Sequence, residues 1–352
     1  MAINYAEKYS PVVDERFKLG TLSAPAVNQN FDWLGVSTVA VYSIPTSAMN
    51  DYTSTGTSRY GTPSELQDEK QEMTLTKDRS FTFSIDRKNY DDTMMTKEAG
   101  TALRRQIDEE AIPEIDTYRF SAICSAVQSA NLINKAVTSD NAYSEFLDAQ
   151  EKLDDLKVPQ VGRVCFCTPN YYKKIKLDDS FTKVGDMATQ ISMTGQVGEV
   201  DGVPLIKVPS SYLPLNVSFI ITLPIVNVSP IKLETYKTHI DPPGINGWLV
   251  EGRLRYDCFS LNQKKDGIAV HTSKALSSIA VTTAPTQTAY TSADATFDPT
   301  GMVITATYDD ATTAAITAYT WAPTTISASG NVTITYVENG VTKTATTAVT
   351  FS

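Results

Sequence analysis

Two stretches of alternating residues, VSTVAVYSIP at 36–45 and MTLTKDRSFTFSID at 73–86, decide how this chain is expected to fold. In the first, Val and Ile recur with a β-branched bias until Pro45. In the second, Met, Leu, Phe and Ile fall mostly at every second position. Such alternation predicts strands. Most residues between them are polar or small, and the exceptions include Met49, Tyr52 and Tyr60. Such a composition is typical of a connecting tip. We therefore predict a long two-stranded ribbon over 36–86.

This ribbon needs a partner, because an isolated pair of strands is marginally stable at best in water. Two interpretations remain open from the ribbon alone. The ribbon folds back on its own domain as a surface hairpin, or another chain covers it. The second interpretation points to self-assembly rather than to chemistry.

A long charged helix is predicted after the ribbon. Its apolar residues recur at helical spacing, and they are Ala99, Leu103, Ile107, Ile112, Ile115, Ala122 or Ile123, Val127, Ala130 and Ile133. Pro113 is expected to kink or restart the helix, because proline lacks an N–H and clashes with the preceding turn. Arg104 and Arg105 lie four residues before Asp108 and Glu109, a spacing that favours exposed ion pairs. This helix is interpreted as a structural spine, and its carboxylates as a charged face rather than an acid/base pair.

Composition excludes several functional classes. The chain has 352 residues and a net charge of −10, which argues against a dedicated nucleic-acid binder. The first residues, MAINYAEKYS, have no apolar core typical of a signal peptide, and no apolar run is long enough for a membrane helix. We therefore expect synthesis in the cytosol. The four cysteines lack the spacing of a disulfide framework and are expected to be buried thiols.

The last 76 residues, 277–352, differ in composition from the rest. They contain 22 Thr and 14 Ala, and five acids against one Lys give them a charge of −4. Alternating runs at 302–308, 331–337 and 342–351 predict strands, and Asn339-Gly340 between the last two is a strong hairpin signal. These features predict a small β-sandwich with Tyr319 and Trp321 in or near its core.

The body of the chain resembles a tailed-bacteriophage major capsid protein with the Hong Kong 97 fold. The blocks that carry the resemblance are DRSFTFSID (78–86), PEIDTYR (113–119), VPQVGRVCFCTPNYY (158–172), EVDGVPLIKVPSSYLP (199–214) and VEGRLRYDCFSL (250–261). The tail resembles a bacterial immunoglobulin-like domain through AYTSADATFDPTGMVITATYDDATT (289–313) and VTITYVENGVTKTATTAVTF (332–351), although Asp309-Asp310-Ala311 replaces the Asp-Gly usual there.

The resemblance implies an α+β Hong Kong 97-type fold plus an all-β immunoglobulin-like sandwich. The segments it implies are an N-terminal arm (1–35), an extended β-hairpin loop (36–86), a peripheral domain with the spine helix (87–135 and 246–272), an axial domain (136–245), a linker (273–276) and the immunoglobulin-like domain (277–352). The arm is interpreted as loosely ordered or laid across a neighbour. The ribbon would lie over an adjacent subunit.

A shell of this kind implies contacts between subunits, and charged residues of the ribbon, spine and returning strands are the candidates. They are Arg59, Lys70, Arg79, Asp86, Arg104, Arg105, Glu114, Asp116, Arg119, Glu251 and Arg253. No catalytic, cofactor or metal site is expected. Some relatives crosslink a loop lysine to an asparagine, but the matching motif is not evident around Lys70, Lys77 or Asn262.

The implied partners are further copies of the chain in hexamers and pentamers, a separate scaffolding protein, a portal, decoration proteins, and packaged DNA held without sequence specificity. The tail would project from the virion and bind surface or mucosal glycans weakly, or serve as a passive ornament. Assembly is expected in the host bacterial cytoplasm. The alternative is a cell-surface or S-layer adhesin, which would need a secretion signal. A glycosidase would need a carboxylate pair at a defined separation, and no catalytic motif supports one.

Overall fold

A computed structural model describes residues 21–31, 38–44, 46–63, 65, 68–88, 99–182, 198–292 and 295–351. Most of the predicted N-terminal arm, the first two residues of the ribbon and the start of the predicted peripheral domain lie outside these residues. The helices are α1 (Ala99–Gln106), α2 (Ile112–Ser125), α3 (Ala142–Asp155), α4 (Pro169–Leu177) and α5 (Asp179–Thr182). The chain is thus α+β.

The body contains thirteen described strands. They are β1 (Thr38–Ser43), β2 (Glu69–Thr74), β3 (Lys77–Asp86), β4 (Leu132–Asn134), β5 (Val164–Cys167), β6 (Glu199–Val200), β7 (Val203–Lys207), β8 (Val217–Thr222), β9 (Asn227–Val228), β10 (Ile231–Ile240), β11 (Gly247–Tyr256), β12 (Phe259–Ser260) and β13 (Ala269–Thr272). Contacts between Cα atoms group β1–β3, β9–β12 and α1 into one compact unit. The second unit holds α3–α5, β4–β8, β13 and the C-terminal residues, and α2 is divided between the two at Ile115.

The ribbon in the first unit is shorter than predicted. β1 pairs antiparallel with β2, with Val39 opposite Met73, whereas β3 pairs with β11 in the three-stranded sheet β10-β11-β3. The alternation over 73–86 therefore belongs to two strands of different sheets, and the predicted single arm is wrong. Alternation reports which face of a strand is buried but not which strand it pairs with.

The base of the ribbon has a burial partner within its own unit. Met73 and Leu75 are buried in a cluster with Val228 and Leu261. In contrast, Met49 in the tip is 98% exposed and Tyr60 is 84% exposed. The base of the ribbon therefore folds back on its own unit, as in the first interpretation, whereas the exposed tip leaves cover by another chain as a prediction.

The predicted spine helix is interrupted and ends early. A π-helical segment, Ile107–Ala111, joins α1 to α2, and Pro113 lies in the first turn of α2 as the predicted restart requires. The continuation to Ile133 is wrong. α2 ends at Ser125, and Leu132–Asn134 forms β4. After Ser125, Val127 and Ile133 are buried outside any α-helix, the latter in β4, and the exposed Ala130 lies in a short 3-10 turn.

The second unit is built on a mixed six-stranded sheet in the order β4-β13-β8-β5-β7-β6. β8 and β5 are buried along their whole length, as expected for strands covered on both faces. α3 packs on the sheet through Phe146 and Leu153 and α4 through Tyr171 and Ile175. All four cysteines are buried thiols that form no disulfide, as predicted.

The predicted boundary between residues 245 and 246 separates two strands that pair. β10 lies antiparallel to β11, with Tyr236 opposite Gly252. β13 in turn joins the six-stranded sheet. Residues 231–245 therefore belong with β11, the strand that follows them and pairs with β10. Residues 269–272 belong to the same sheet as the predicted axial strands. The apolar content of these strands does not distinguish between the two sheets.

The C-terminal residues form a β-sandwich. Its strands are β14 (Leu276–Thr283), β15 (Ala289–Tyr290), β16 (Ala295–Thr296), β17 (Val303–Tyr308), β18 (Thr313–Ile316), β19 (Thr320–Ala322), β20 (Thr325–Ile326), β21 (Gly330–Glu338) and β22 (Val341–Phe351). The sheets β14-β17-β18 and β15-β22-β21-β19 bury one shared core, against which Tyr319 and Trp321 pack. Asn339-Gly340 forms the predicted hairpin turn, with both residues at positive φ. We call residues 276–351 the C-terminal sandwich.

Candidate functional site: a charged sheet face and its neighbours

The three-stranded sheet carries charged side chains on one exposed face, and they pair across the strands. Arg253 contacts Asp78 through two hydrogen bonds, Nε to Oδ1 at 2.9 Å and Nη2 to Oδ2 at 2.6 Å. These bonds lower the pKa of Asp78. Glu251 lies 3.3 Å from His239 Nε2 on the neighbouring strand. The candidates Glu251 and Arg253 are therefore displayed in a fixed arrangement on a surface that another chain can reach.

Arg79 and Glu114 connect this sheet to the first turn of α2. Arg79 Nε donates to Glu114 Oε1 at 2.6 Å, and the Tyr256 hydroxyl donates to the same oxygen at 3.0 Å. Arg79 keeps 61% of its side chain exposed and Glu114 keeps 44%. The pair holds the helix to the sheet inside the subunit and remains accessible to a neighbour.

Asp116 and Arg119, in contrast, are internal. The Asp116 carboxylate is fully buried and accepts hydrogen bonds from Leu22 N at 2.7 Å and Ser23 Oγ at 2.5 Å. Arg119 Nη1 donates to Ser23 Oγ at 3.0 Å. The prediction that these two side chains contact another subunit is corrected: they anchor residues 22–23 on α2, and a buried charge of this kind needs an internal partner.

The other candidates are exposed. They are Arg59, Lys70, Asp86, Arg104 and Arg105. Lys70 pairs with Glu72 at 2.6 Å and Arg105 with Glu109 at 3.0 Å, the latter as the predicted helical pair. Exposed pairs of this kind add little stability. Their part in contacts between subunits stays a prediction.

The sequence did not predict a role for Asp257, which holds the short segment between β2 and β3 in place. Its Oδ2 accepts hydrogen bonds from Thr76 N and Thr76 Oγ1, both at 2.8 Å, and its Oδ1 accepts one from Cys258 N. The carboxylate is 3% exposed. This contact holds the two-residue break between the strands, so the ribbon leaves the sheet in a defined direction. The only signal in the sequence is a carboxylate between apolar residues.

A buried titratable cluster lies in the second unit. His271 on β13 has no exposed surface, and its ring stacks on Phe219 with centroids 4.9 Å apart. Its Nε2 lies 3.6 Å from Glu145 Oε2 on α3, and Glu145 also forms an ion pair with Lys135. Neither ring nitrogen has a hydrogen-bond partner among the described residues. Burial, assisted by the charge of Lys135, lowers the pKa of His271 to about 4.

We expect this histidine to make the fold sensitive to acid. The unfolded chain takes up the proton near pH 6.5 and the folded chain only near pH 4, so stability falls as the pH falls between these values. At about 1.4 kcal/mol per pKa unit, His271 accounts for a loss of about 3 kcal/mol over that window. Urea unfolding of His271→Phe between pH 7 and 4 should show a shallower dependence of the unfolding free energy on pH.

The second histidine of the chain provides the control for that measurement. His239 is 45% exposed, and His239→Asn should retain the pH dependence of the wild type. Equal slopes for His271→Phe and the wild type would contradict the expectation.

The described part of the chain contains no group of three or more His, Cys, Asp or Glu side chains arranged to hold a metal ion. Among its helices, none is both long enough and apolar enough to cross a membrane.

Family models and curated proteins give no match, but solved structures share the fold of this chain. A chain from Mycobacterium phage Che8 superposes with a TM-score of 0.63 at 15% identity, over 76% of this chain and 97% of its own. The capsid structure of cyanophage P-SCSP1u superposes with a TM-score of 0.61 at 14% identity, over 76% of this chain and 92% of its own. The fold of this chain is therefore a phage capsid fold.

The same capsid fold is found in the mature capsid of bacteriophage PhiM1, at a TM-score of 0.57 and 12% identity. The predicted capsid-type α+β fold is thereby confirmed. The finer Hong Kong 97 segments and the immunoglobulin-like nature of the C-terminal sandwich stay predictions. The match covers nearly all of the Che8 chain but only 76% of this one. The rest of this chain therefore has almost no counterpart in the Che8 chain.

Proposed function

We propose that this chain is the major capsid protein of a tailed double-stranded DNA bacteriophage and that copies of it assemble into an icosahedral or prolate shell. The observation that carries the proposal is a capsid fold whose ribbon has a buried base and an exposed tip. The fold alone does not define a function. An exposed tip of a two-stranded ribbon, however, gains cover by lying on another subunit.

In this proposal the subunits form hexamers and pentamers, and the ribbon lies over an adjacent copy. The exposed charges at Arg59, Lys70, Arg79, Asp86, Arg104, Arg105, Glu114, Glu251 and Arg253 then help to set the geometry between subunits. Many weak symmetric contacts acting together are sufficient for a robust shell. The chain has no proposed catalytic role.

The further partners proposed are a scaffolding protein, a portal, decoration proteins and DNA on the inner face of the shell. Assembly would take place in the host cytoplasm and the product would be the virion. The C-terminal sandwich is proposed as an immunoglobulin-like domain displayed on the surface, with weak affinity for glycans.

Electron microscopy tests this function directly. The full chain, produced with candidate scaffolding proteins encoded beside it, should yield closed shells of uniform size in negative stain. The same preparation without the scaffolding proteins should give fewer or less regular particles. A preparation that remains monomeric under all of these conditions would contradict the proposal.

A further inference from the structure

The C-terminal sandwich touches the body at the turn between β21 and β22. Asn339 Nδ2 donates to Leu215 O at 3.3 Å. A Cβ atom on Gly340 would lie 3.0 Å from Val127 O and 3.2 Å from Val127 Cγ1. The turn is thus seated closely enough on the body that only glycine fits without displacing backbone at this position. Gly340 also has a φ of 77°, which glycine adopts without strain.

Glu338, just before this turn, is the polar centre of the contact. Its side chain is 6% exposed, and Oε1 accepts a hydrogen bond from Asn216 Nδ2 at 3.2 Å. Oε2 accepts from the hydroxyls of Tyr308 and Tyr336, both at 3.0 Å. Burial together with this carboxylate raises the pKa of Tyr308 to about 12 and raises that of Tyr336 further, so both hydroxyls remain donors at neutral pH. The buried charge therefore has three donors, one of them from the body.

The backbone conformation of Asn216 allows it to make this contact. It has a φ of 64°, a left-handed conformation that few residues other than Gly and Asn adopt readily. That conformation directs its amide to Glu338, while its carbonyl accepts from Ser273 N at 2.8 Å. Asn216 thus contacts both the sandwich and the chain that leads into it.

The connecting residues are bound to the sandwich as well. Ala275 N donates to Asp309 Oδ1 at 3.0 Å, and Asp309 N donates to Ala275 O at 2.9 Å. Lys274 pairs with Asp310 at 2.7 Å. The predicted linker 273–276 is therefore not a free tether, and its last residue, Leu276, already belongs to the core of the sandwich.

We propose that the turn Glu338–Gly340 latches the C-terminal sandwich onto the body at Leu215–Asn216, and that this latch, together with the bound connecting residues, fixes the direction in which the sandwich is displayed. The surface that receives the latch is an interaction site for this chain's own C-terminal module. The proposal does not depend on the shell function, because the latch lies within one chain.

A fixed sandwich has a consequence for recognition. The outer side of its four-stranded sheet carries Thr320, Thr335 and Thr344 side by side on three neighbouring strands. When every copy holds this face in the same orientation, a repeated assembly presents it at regular spacing. Regular spacing favours simultaneous engagement of a repetitive partner surface, whereas a tethered module samples many orientations.

Two glycine variants of the sandwich separate latching from folding. Gly340 and Gly301 both lie in turns at positive φ, of 77° and 81°, so alanine strains the backbone at either site. The alanine Cβ at residue 301 would meet only Thr286 inside the sandwich. Gly340→Ala should raise amide hydrogen exchange at 215–217 and 339–341 at least tenfold and make 273–276 more sensitive to protease. Gly301→Ala should leave both unchanged.

A third variant tests the latch from the body side. Asn216→Gly removes the amide donor and keeps the left-handed backbone, so the body should fold as before. It should increase exchange at 339–341 at least several-fold while the amides of the buried strand segment 332–334 keep their protection. The proposal would be overturned if Asn216→Gly left exchange at 339–341 at the rate of the wild type, or if Gly340→Ala behaved as Gly301→Ala does.

Discussion

Replacing residues 46–63 with a short turn is expected to abolish particle formation and to leave the subunit folded. The deleted residues are almost all exposed, whereas the base of the ribbon is buried through Met73 and Leu75 against Val228 and Leu261. Removal of the tip therefore takes away little of the subunit's own core. What it removes is the surface that, in the proposed shell, lies on a neighbour.

The measurement compares assembly with folding in the same preparation. Circular dichroism and thermal unfolding should match the wild type, while negative-stain microscopy and sedimentation should show no shells. A matched control replaces Met49 and Tyr60 in the tip with Ser and keeps the length of the ribbon. Assembly should weaken in that variant in proportion to the lost apolar contact. Normal shells from the shortened chain would show that the tip has no part in assembly.

Sequence patterns predicted those parts of the fold that depend on neighbouring residues. The strands of the C-terminal sandwich and the turn at Asn339-Gly340 are present because alternation and turn chemistry are local. Pro113 likewise marks the start of a helix. Each of these features is decided within about ten residues of chain.

Pairings between distant residues could not be read from the same patterns. Thr76 is held by Asp257, 181 residues further along the chain, and this contact marks where one alternating stretch becomes two strands. Asp116 was assigned to an interface, but its partner Ser23 lies 93 residues away. The partner of neither carboxylate can be read from the residues around it, and only the tertiary structure reveals what buries them.

The latch at Glu338 escaped prediction for the same reason. Glu338 precedes a hairpin turn, where a carboxylate is ordinarily exposed, and its donor Asn216 is 122 residues away. The prediction of a separate tail domain with its own core is consistent with the observed sandwich. The expectation of a linker at 273–276 overlooked the hydrogen bonds that tie these residues down on both sides.

Arg163→Met is expected to produce the largest loss of stability of any single substitution considered. Arg163 is among the largest buried side chains, and four hydrogen bonds join it to α3 and to the turn that follows. Its Nη1 donates to Gln150 Oε1 at 2.7 Å, and its Nη2 donates to Asp154 Oδ1 at 2.7 Å and to Val158 O at 2.6 Å. The fourth bond runs from Nε to Pro159 O at 3.0 Å.

The substitution keeps much of the side-chain volume and removes every one of these donors. Asp154 is 43% exposed and Pro159 is exposed, so both can turn to water, but the buried Gln150 amide and the partly buried Val158 carbonyl lose their partner. Each unsatisfied buried group costs about 1–3 kcal/mol, so the free energy of unfolding should fall by about 3–5 kcal/mol. Urea unfolding followed by circular dichroism measures this loss.

The same chemical change at Arg253 provides the control. Arg253 also makes two hydrogen bonds to one carboxylate, but it is 54% exposed, so water replaces its contacts when they are lost. Arg253→Met should therefore unfold close to the wild type. If both variants lost the same stability, the burial of Arg163 would not be what makes it important. If Arg163→Met alone is unstable, the buried guanidinium is what holds the end of α3 to residues 158–159. It thereby keeps α3 in place on the six-stranded sheet.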